Sequence, residues 1–407
     1  MLGSSWSGDP NGPEPSQTVF LAGVAYLIMT KRLRKMLHVL CLAVFAVSCS
    51  RTKLPPVAQS GTNAVQKVTI NNLEPRRDVT GKIIDAHDGC LQFFEGGFYL
   101  YGTAYGNSDG YGISNRYRVY SSPDLGRWTF EGELLKYPPT GVYYRPYVVF
   151  NSNTRQYVLW YNWYPKLWDG QIGVAVSDKP TGPFRIANPN VHLSQRHPGD
   201  GSLFVDNDGA GYFVYTAIDE GYAVRVERLT QDYLASTGKA SDPVALGAEA
   251  SVLFRRNNLY YVLCGPRCAA CPEGSDVLVN ISSSPLGPYH GAADINRRAR
   301  SDSLQATQSV QVPTPKGTYI YQGTKDFTNY FRNDPFIHAQ ETWVARIPTG
   351  KEPIFIWMAD GWRSAPDGIK GHDFQFWSMP LKFNPDSTIQ PIQYAPRWSL
   401  TWLRSHQ

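Results

Sequence analysis

From about residue 80 onward, short apolar runs alternate with turns, and aromatic residues recur at fixed places in the runs. The aromatic strand Tyr99-Leu100-Tyr101 returns as Tyr157-Val158-Leu159-Trp160-Tyr161, Tyr212-Phe213-Val214-Tyr215, Tyr260-Tyr261-Val262-Leu263 and Tyr319-Ile320-Tyr321. An apolar run and a turn precede these strands, as in Leu203-Phe204-Val205 then Asp206-Asn207-Asp208-Gly209, or Val252-Leu253-Phe254 then Arg255-Arg256-Asn257-Asn258. Such links between alternating runs mark hairpins. A third strand follows in several copies and ends on Ser, a Pro- and Gly-bearing turn and an aromatic. Ser122-Pro123-Asp124-Leu125-Gly126-Arg127-Trp128 is one example, and Ser284-Pro285-Leu286-Gly287-Pro288-Tyr289 another. No amphipathic helix longer than two turns is legible after residue 78. A four-stranded antiparallel unit of about 50 residues, repeated five times, predicts an all-β, five-bladed β-propeller. A β-sandwich needs no such fixed period. Residues 346–402 are expected to complete and close the last blade.

The innermost strand of a blade lines the central channel, so the residue just before it faces the mouth. Counting back 11 or 12 residues from each aromatic Tyr gives Asp88, Arg145, Asp200, Glu249 and Gln308. All five are polar and three are carboxylates. Five polar residues in one phase suggest a ring at the axis, serving either chemistry or closure of the propeller by hydrogen bonds. His87 adjoins the first position and is a candidate binding residue, although it could equally cap the strand. Carboxylates and His87 could also hold a calcium ion at the axis. Asp85 reads as a turn residue. Trp160, Trp163 and Trp168 are candidates for sugar platforms or for core packing.

Composition narrows the class. With 42% hydrophobic residues in 407, the chain can bury a large core, and it is not charged enough to be disordered. The formal charge of +5 falls largely in the N-terminal segment, so no basic patch implies nucleic acid. That segment, residues 1–49, reads as a targeting signal whose true start is Met29 or Met36. Met29-Thr30-Lys31-Arg32-Leu33-Arg34-Lys35 is basic, Leu37–Val47 is apolar, and Ala46-Val47-Ser48-Cys49 is similar to a bacterial lipoprotein signal with Cys49 as the lipidated residue. An ordinary secretory signal is the alternative. Residues 50–77 read as a linker and 78–407 as the catalytic propeller. The expected location is the bacterial outer membrane, by lipid anchor alone, or the periplasm or extracellular space, with the protein a monomer. In an oxidising compartment, a disulfide is expected within Cys264, Cys268 and Cys271, and Cys90 is expected to be a buried thiol.

Three carboxylates around one pocket cannot all ionise without cost, so one carboxyl is expected to be protonated beside an ionised one. Glycoside hydrolysis needs such an acid and base, and their placement on separate blades favours inversion. The phase-matched Asp88, Asp200 and Glu249, with Ala86-His87-Asp88 and Asp200-Gly201-Ser202-Leu203-Phe204-Val205-Asp206-Asn207-Asp208-Gly209, resemble glycoside hydrolase family 43. That resemblance implies an inverting five-bladed propeller acting on an oligo- or polysaccharide without a cofactor. Asp88 would be the general base, Glu249 the general acid and Asp200 the residue that tunes and orients the acid, with Arg145 and Gln308 contacting substrate. Two departures stand out. Gly89 follows Asp88 where the family commonly has Pro. Thr103 stands where the exo-β-1,3-galactanase-like branch has Glu, whereas Glu249-Ala250 and the Gln308 segment lean toward that branch. Asp88 and Gln308 are both left as candidates to handle water, and arabinofuranoside, galactoside and xyloside substrates stay open. A propeller lipoprotein that binds glycans without cleaving them is the competing reading.

Overall fold

The computed structural model describes residues 65–166, 169–266, 268, 273–296, 336–349 and 352–403, and the backbone of 309–314 and 317–322. After β1 (Val65–Asn71), the first blade is β2 (His87–Phe94), β3 (Gly97–Ala104), β4 (Arg116–Ser122) and β5 (Thr129–Glu133). The second is β6 (Val142–Asn151), β7 (Gln156–Tyr164), β8 (Gln171–Ser177) and β9 (Arg185–Asn188). The third is β10 (Pro198–Val205), β11 (Gly211–Ala217), β12 (Ala223–Leu229) and β13 (Ser236–Ala240). The fourth is β14 (Ala248–Arg256), β15 (Leu259–Pro266), β16 (Leu278–Ser282) and β17 (His290–Asp294). The hairpin β18 (Ser309–Thr314) and β19 (Gly317–Gln322) forms a separate sheet. The fifth blade is β20 (Gln340–Ile347), β21 (Ile354–Gly361) and β22 (Phe374–Trp377), and β23 (Arg397–Leu403) is the last strand among the described residues.

Strands pair antiparallel in chain order within each blade. The inner strands β2, β6, β10, β14 and β20 pack in a closed circle, each against the next and β20 against β2. The expected five-bladed propeller is therefore the fold. Among the described residues, helix is confined to two three-residue 3-10 turns, Ile218–Glu220 and Lys370–His372. Blades pack through large side chains. Trp128, Trp160, Trp357 and Trp377 are essentially fully buried, and Trp128 meets Trp377 edge-on at 6.2 Å.

Two expectations are corrected. The hairpin containing Tyr319-Ile320-Tyr321 is not the fifth blade, because β20 supplies the fifth inner strand. The count failed because the loop joining β20 to β21 runs from 348 to 353, longer than the corresponding loop of any other blade. The true aromatic strand, Ile354-Phe355-Ile356-Trp357, was thereby shifted out of phase. Residues 65–71, read as linker, form β1 and pair antiparallel with β23 from Val65↔Leu403 to Asn71↔Arg397. The Asn72 side chain ties this ribbon to the fifth blade. It donates to the Trp377 carbonyl and accepts from the Trp377 N–H, both at 3.0 Å, and the Trp398 indole donates to the same carbonyl.

Candidate active site

Every inner strand carries a register shift near its start. The shifts lie between His87 and Cys90, Tyr144 and Pro146, Pro198 and Gly201, Glu249 and Val252, and Glu341 and Trp343. A bulge inserts a residue and re-aims the side chain beside it. Asp88, Arg145 and Ala250 adopt left-handed φ values of 45°, 49° and 56° at these points. This is how a strand that is otherwise core presents a polar residue to the mouth. The phase read from sequence holds in four blades. In the fifth the position belongs to Gln340, and Gln308 lies outside the described residues.

Three of the ring residues, Asp88, Arg145 and Asp200, are brought together by direct contacts. Arg145 is buried, and its Nε lies 3.1 Å from Asp200 Oδ2. Its Nη1 donates to the Glu341 carbonyl at 3.3 Å. Asp88 is 4% exposed; its Oδ2 accepts from the Tyr105 hydroxyl at 2.5 Å and its Oδ1 from the Arg145 N–H at 3.4 Å. Burial pushes the Asp88 carboxyl up, the Arg145 charge and the Tyr105 hydroxyl pull it back, and Asp360 raises it again, to about 6. The like charge that matters is thus Asp360, on β21, rather than another of the predicted carboxylates.

Glu249 is buried, and its Oε1 accepts from the Cys268 N–H at 2.6 Å and the Gln340 Nε2 at 3.0 Å. The indole N–H of Trp362 donates to Gln340 Oε1 at 2.8 Å. An indole can only donate, so this contact fixes which end of the amide meets Glu249. Cys268 is disulfide-bonded, which restrains the segment delivering that N–H. Cys264 and Cys90 are buried free thiols, so the disulfide does not include Cys264. Burial pushes the Cys90 thiol up to about 12.

His87 sits behind the ring rather than in its opening. It is fully buried, with Nδ1 3.1 Å from Asp360 Oδ1 and Nε2 3.2 Å from the Gly371 carbonyl. Asp360 Oδ2 in turn accepts the Asp88 N–H at 2.5 Å. Burial alone lowers the imidazole pKa, but Asp360, Asp85 and Asp373 outweigh it and push the value up to about 9. Asp85, read as a turn residue, is buried and reaches across to the segment after β3, where it accepts from the Tyr105 and Gly106 N–H groups. Trp160 and Trp163 are core residues bonded to the Tyr233 and Pro189 carbonyls, and Trp168 lies outside the described residues. Among the described residues, no group of three or more His, Cys, Asp or Glu side chains is placed to hold a metal ion.

The aromatic wall comes from residues the sequence reading passed over. Tyr105 follows β3, Tyr164 ends β7 and Trp362 follows β21. Tyr105 meets Trp362 edge-on at 5.9 Å, and Tyr144 contacts both Tyr105 and Tyr164. Their shared place at the end of each second strand is a phase signal of the kind used for the first. The count simply stopped one strand early.

The chain matches the profile of Glycosyl hydrolases family 43 over residues 82–362. No curated protein sequence matches it. Among solved structures, it is similar to a family 43 β-1,3-galactosidase (TM-score 0.63, 21% identity), covering 82% of this chain and 64% of that one. A second β-1,3-galactosidase, solved with galactodeoxynojirimycin, gives a TM-score of 0.61 at 22% identity and covers 81% of this chain and 99% of that one. The exo-β-1,3-galactanase of Phanerochaete chrysosporium, with galactose, gives 0.63 at 21% identity and covers 83% and 71%. The chain spans just under two thirds of the first relative's length. At these identities the structural likeness speaks for the fold, and the profile match over most of the propeller speaks for the family. The chain belongs to glycosyl hydrolase family 43.

Proposed function

We propose that this chain is a glycosidase that inverts the anomeric centre of a terminal β-1,3-linked galactoside in plant-type polysaccharide, with Glu249 as general acid and Asp88 as general base. The observation that carries the reading is the placement of Asp88, Asp200 and Glu249 near the inner-strand bulges of three blades. Glu249 Oε1 takes two donors, so the proton for the leaving oxygen is carried on Oε2. Asp88, held by Tyr105 and Arg145, ionises near pH 6 and draws the proton from water. Asp200 keeps Arg145 fixed between them. Gln340 aims the acid. The choice of galactoside over arabinofuranoside or xyloside is supported by the β-1,3-galactosidases and galactanase with which the chain shares its fold.

The test is overnight incubation with β-1,3-galactan, arabinogalactan, arabinan and xylan, followed by analysis of released sugars. Galactose is expected from the first two, appearing first as the α-anomer. Release of only arabinose or xylose overturns the galactoside assignment, and release of nothing overturns hydrolysis of these polysaccharides. Glu249→Gln should lose roughly 10²–10⁴-fold on galactan yet be partly rescued by an aryl galactoside with a good leaving group. Asp88→Asn should be equally damaging. If Gln340→Ala abolishes activity and Asp88→Asn does not, the amide rather than Asp88 handles the water.

A further inference from the structure

Beside Asp88, the Lys370 ammonium makes no hydrogen bond among the described residues, and the buried Tyr144 hydroxyl makes none either. Lys370 lies in the loop between β21 and β22, and its side chain is about nine-tenths buried. Its Nζ sits 3.8 Å from the ring centroid of Trp362 and 4.7 Å from that of Tyr105. The nearest carboxylate oxygen, Asp373 Oδ2, is 3.8 Å away, beyond hydrogen-bond reach, and already accepts the Arg363 N–H. The stem is held in place by Gly110, where a Cβ would meet Lys370 Cε at 2.7 Å. The second group is the Tyr144 hydroxyl, buried and without a partner. Its ring lies 6.4 Å from that of Tyr105. Lys370 and Tyr144 therefore both contact Tyr105, whose own hydroxyl is committed to Asp88.

An ammonium carries three donors, and little water reaches a side chain this far buried to meet them. Two aromatic faces compensate in part, because ring quadrupoles attract a cation without accepting its hydrogen bonds. A ligand supplying the missing acceptor would complete the site. The surroundings indicate what kind. An anion placed at the Lys370 Nζ would be repelled by the carboxylates that act on that ammonium, Asp373, Asp88 and Asp360. A neutral acceptor, such as a sugar hydroxyl, would not.

We propose that Lys370 is a substrate-binding and specificity residue whose ammonium donates to one hydroxyl of the sugar ring seated at Asp88, against the wall formed by Tyr105 and Trp362. The proposal rests on the galactoside reading above. It goes beyond it by assigning recognition of a single hydroxyl to a residue outside the ring of inner-strand positions.

Wild type and Lys370→Met, which keeps the apolar stem, would be titrated calorimetrically with methyl β-galactoside and its 2-, 3-, 4- and 6-deoxy analogues. Hydrolysis of aryl galactosides by the wild type would be followed in parallel. Lys370→Met should bind the parent sugar roughly 10–100-fold more weakly, as expected for loss of a charged hydrogen bond. Wild type should discriminate by a similar factor against one deoxy analogue, and for that analogue the two proteins should bind equally. An equal loss against all five sugars, or no loss at all, overturns the proposal, as does failure of wild type to bind the parent sugar. A lowered melting temperature with unchanged relative affinities also overturns it, because that is the mark of a merely structural ion pair. If the deoxy pattern appears but wild type hydrolyses nothing, the hydrolase reading falls and the role of Lys370 stands.

Discussion

His87, Asp360 and Asp88 act as one unit at the base of the ring. Asp360 holds the imidazolium with one oxygen and the Asp88 N–H with the other, so Asp88 is positioned by a charge pair it does not itself join. Glu341, one residue past Gln340, is fully buried; Trp357 donates to its Oε2, and its Oε1 has no partner among the described residues. Burial pushes this carboxyl up to about 8, against the pull of the Trp357 hydrogen bond and the Arg145 charge. The signs agree for His87 and Glu341. Each folded-state pKa lies above its ordinary value, so each contributes stability that is present at low pH and lost as pH rises, through about 8 for Glu341 and about 9 for His87. The melting temperature should therefore fall by several degrees between pH 6 and 9, and Glu341→Gln should flatten part of the slope. Scanning fluorimetry across that range checks it, and a flat or rising profile would refute the assignment. Activity should move the other way at its acid limb, rising through about pH 6 as Asp88 ionises. Asp88, Arg145, Asp200 and Glu249 were legible in the sequence because a repeated fold puts repeated positions in one place. Asp360, Lys370 and Trp362 were not, because they come from the end of the fifth blade's second strand and the loop after it, where no count was made.

At the scale of elements, the bulge and the loop decide what a strand presents. The aromatic strand and its turn identified four blades because their joining loops run from two to five residues, short enough to keep one phase. The fifth was misread because a longer loop broke the phase while an unrelated hairpin, β18–β19, imitated the pattern. Local sequence encodes a hairpin; it does not encode which hairpin joins the ring. Between β15 and β16, the loop bearing Cys268 supplies a backbone donor to Glu249. Restraint by the disulfide keeps that donor in place. Reducing the protein, or substituting Cys268→Ser, should lower kcat several-fold with KM little changed. Undiminished kcat in full reductant, with loss of the disulfide verified by thiol titration, would show that the loop holds its position unaided.

Across the whole molecule, the ring contacts both close the propeller and build the site. Asp88 meets Arg145, Arg145 meets Asp200, Ser202 bonds the Ser251 carbonyl, Glu249 meets Gln340, and Asp360 returns to Asp88. Structural closure, one of the two readings of the ring, is carried by the same side chains to which the proposed chemistry is assigned. The β1–β23 ribbon performs the remaining closure at the rim, with Trp402 buried and packed edge-on against Phe98 at 5.9 Å. Trp402→Ala should cost about 3–5 kcal/mol in denaturant unfolding while leaving kcat near wild type below the melting transition. Loss of less than about 1 kcal/mol would mean that the ribbon is dispensable. The ribbon also has a consequence for biosynthesis. Asn71 lies 326 residues from its partner Arg397, so β1 must wait for β23 to emerge from the ribosome. Contacts across such separations form late. Four blades can stack before the fifth arrives, but the rim cannot seal until β23 has been made. A chain shortened before residue 397 would leave β1 an exposed, unpaired edge and open to association with another copy.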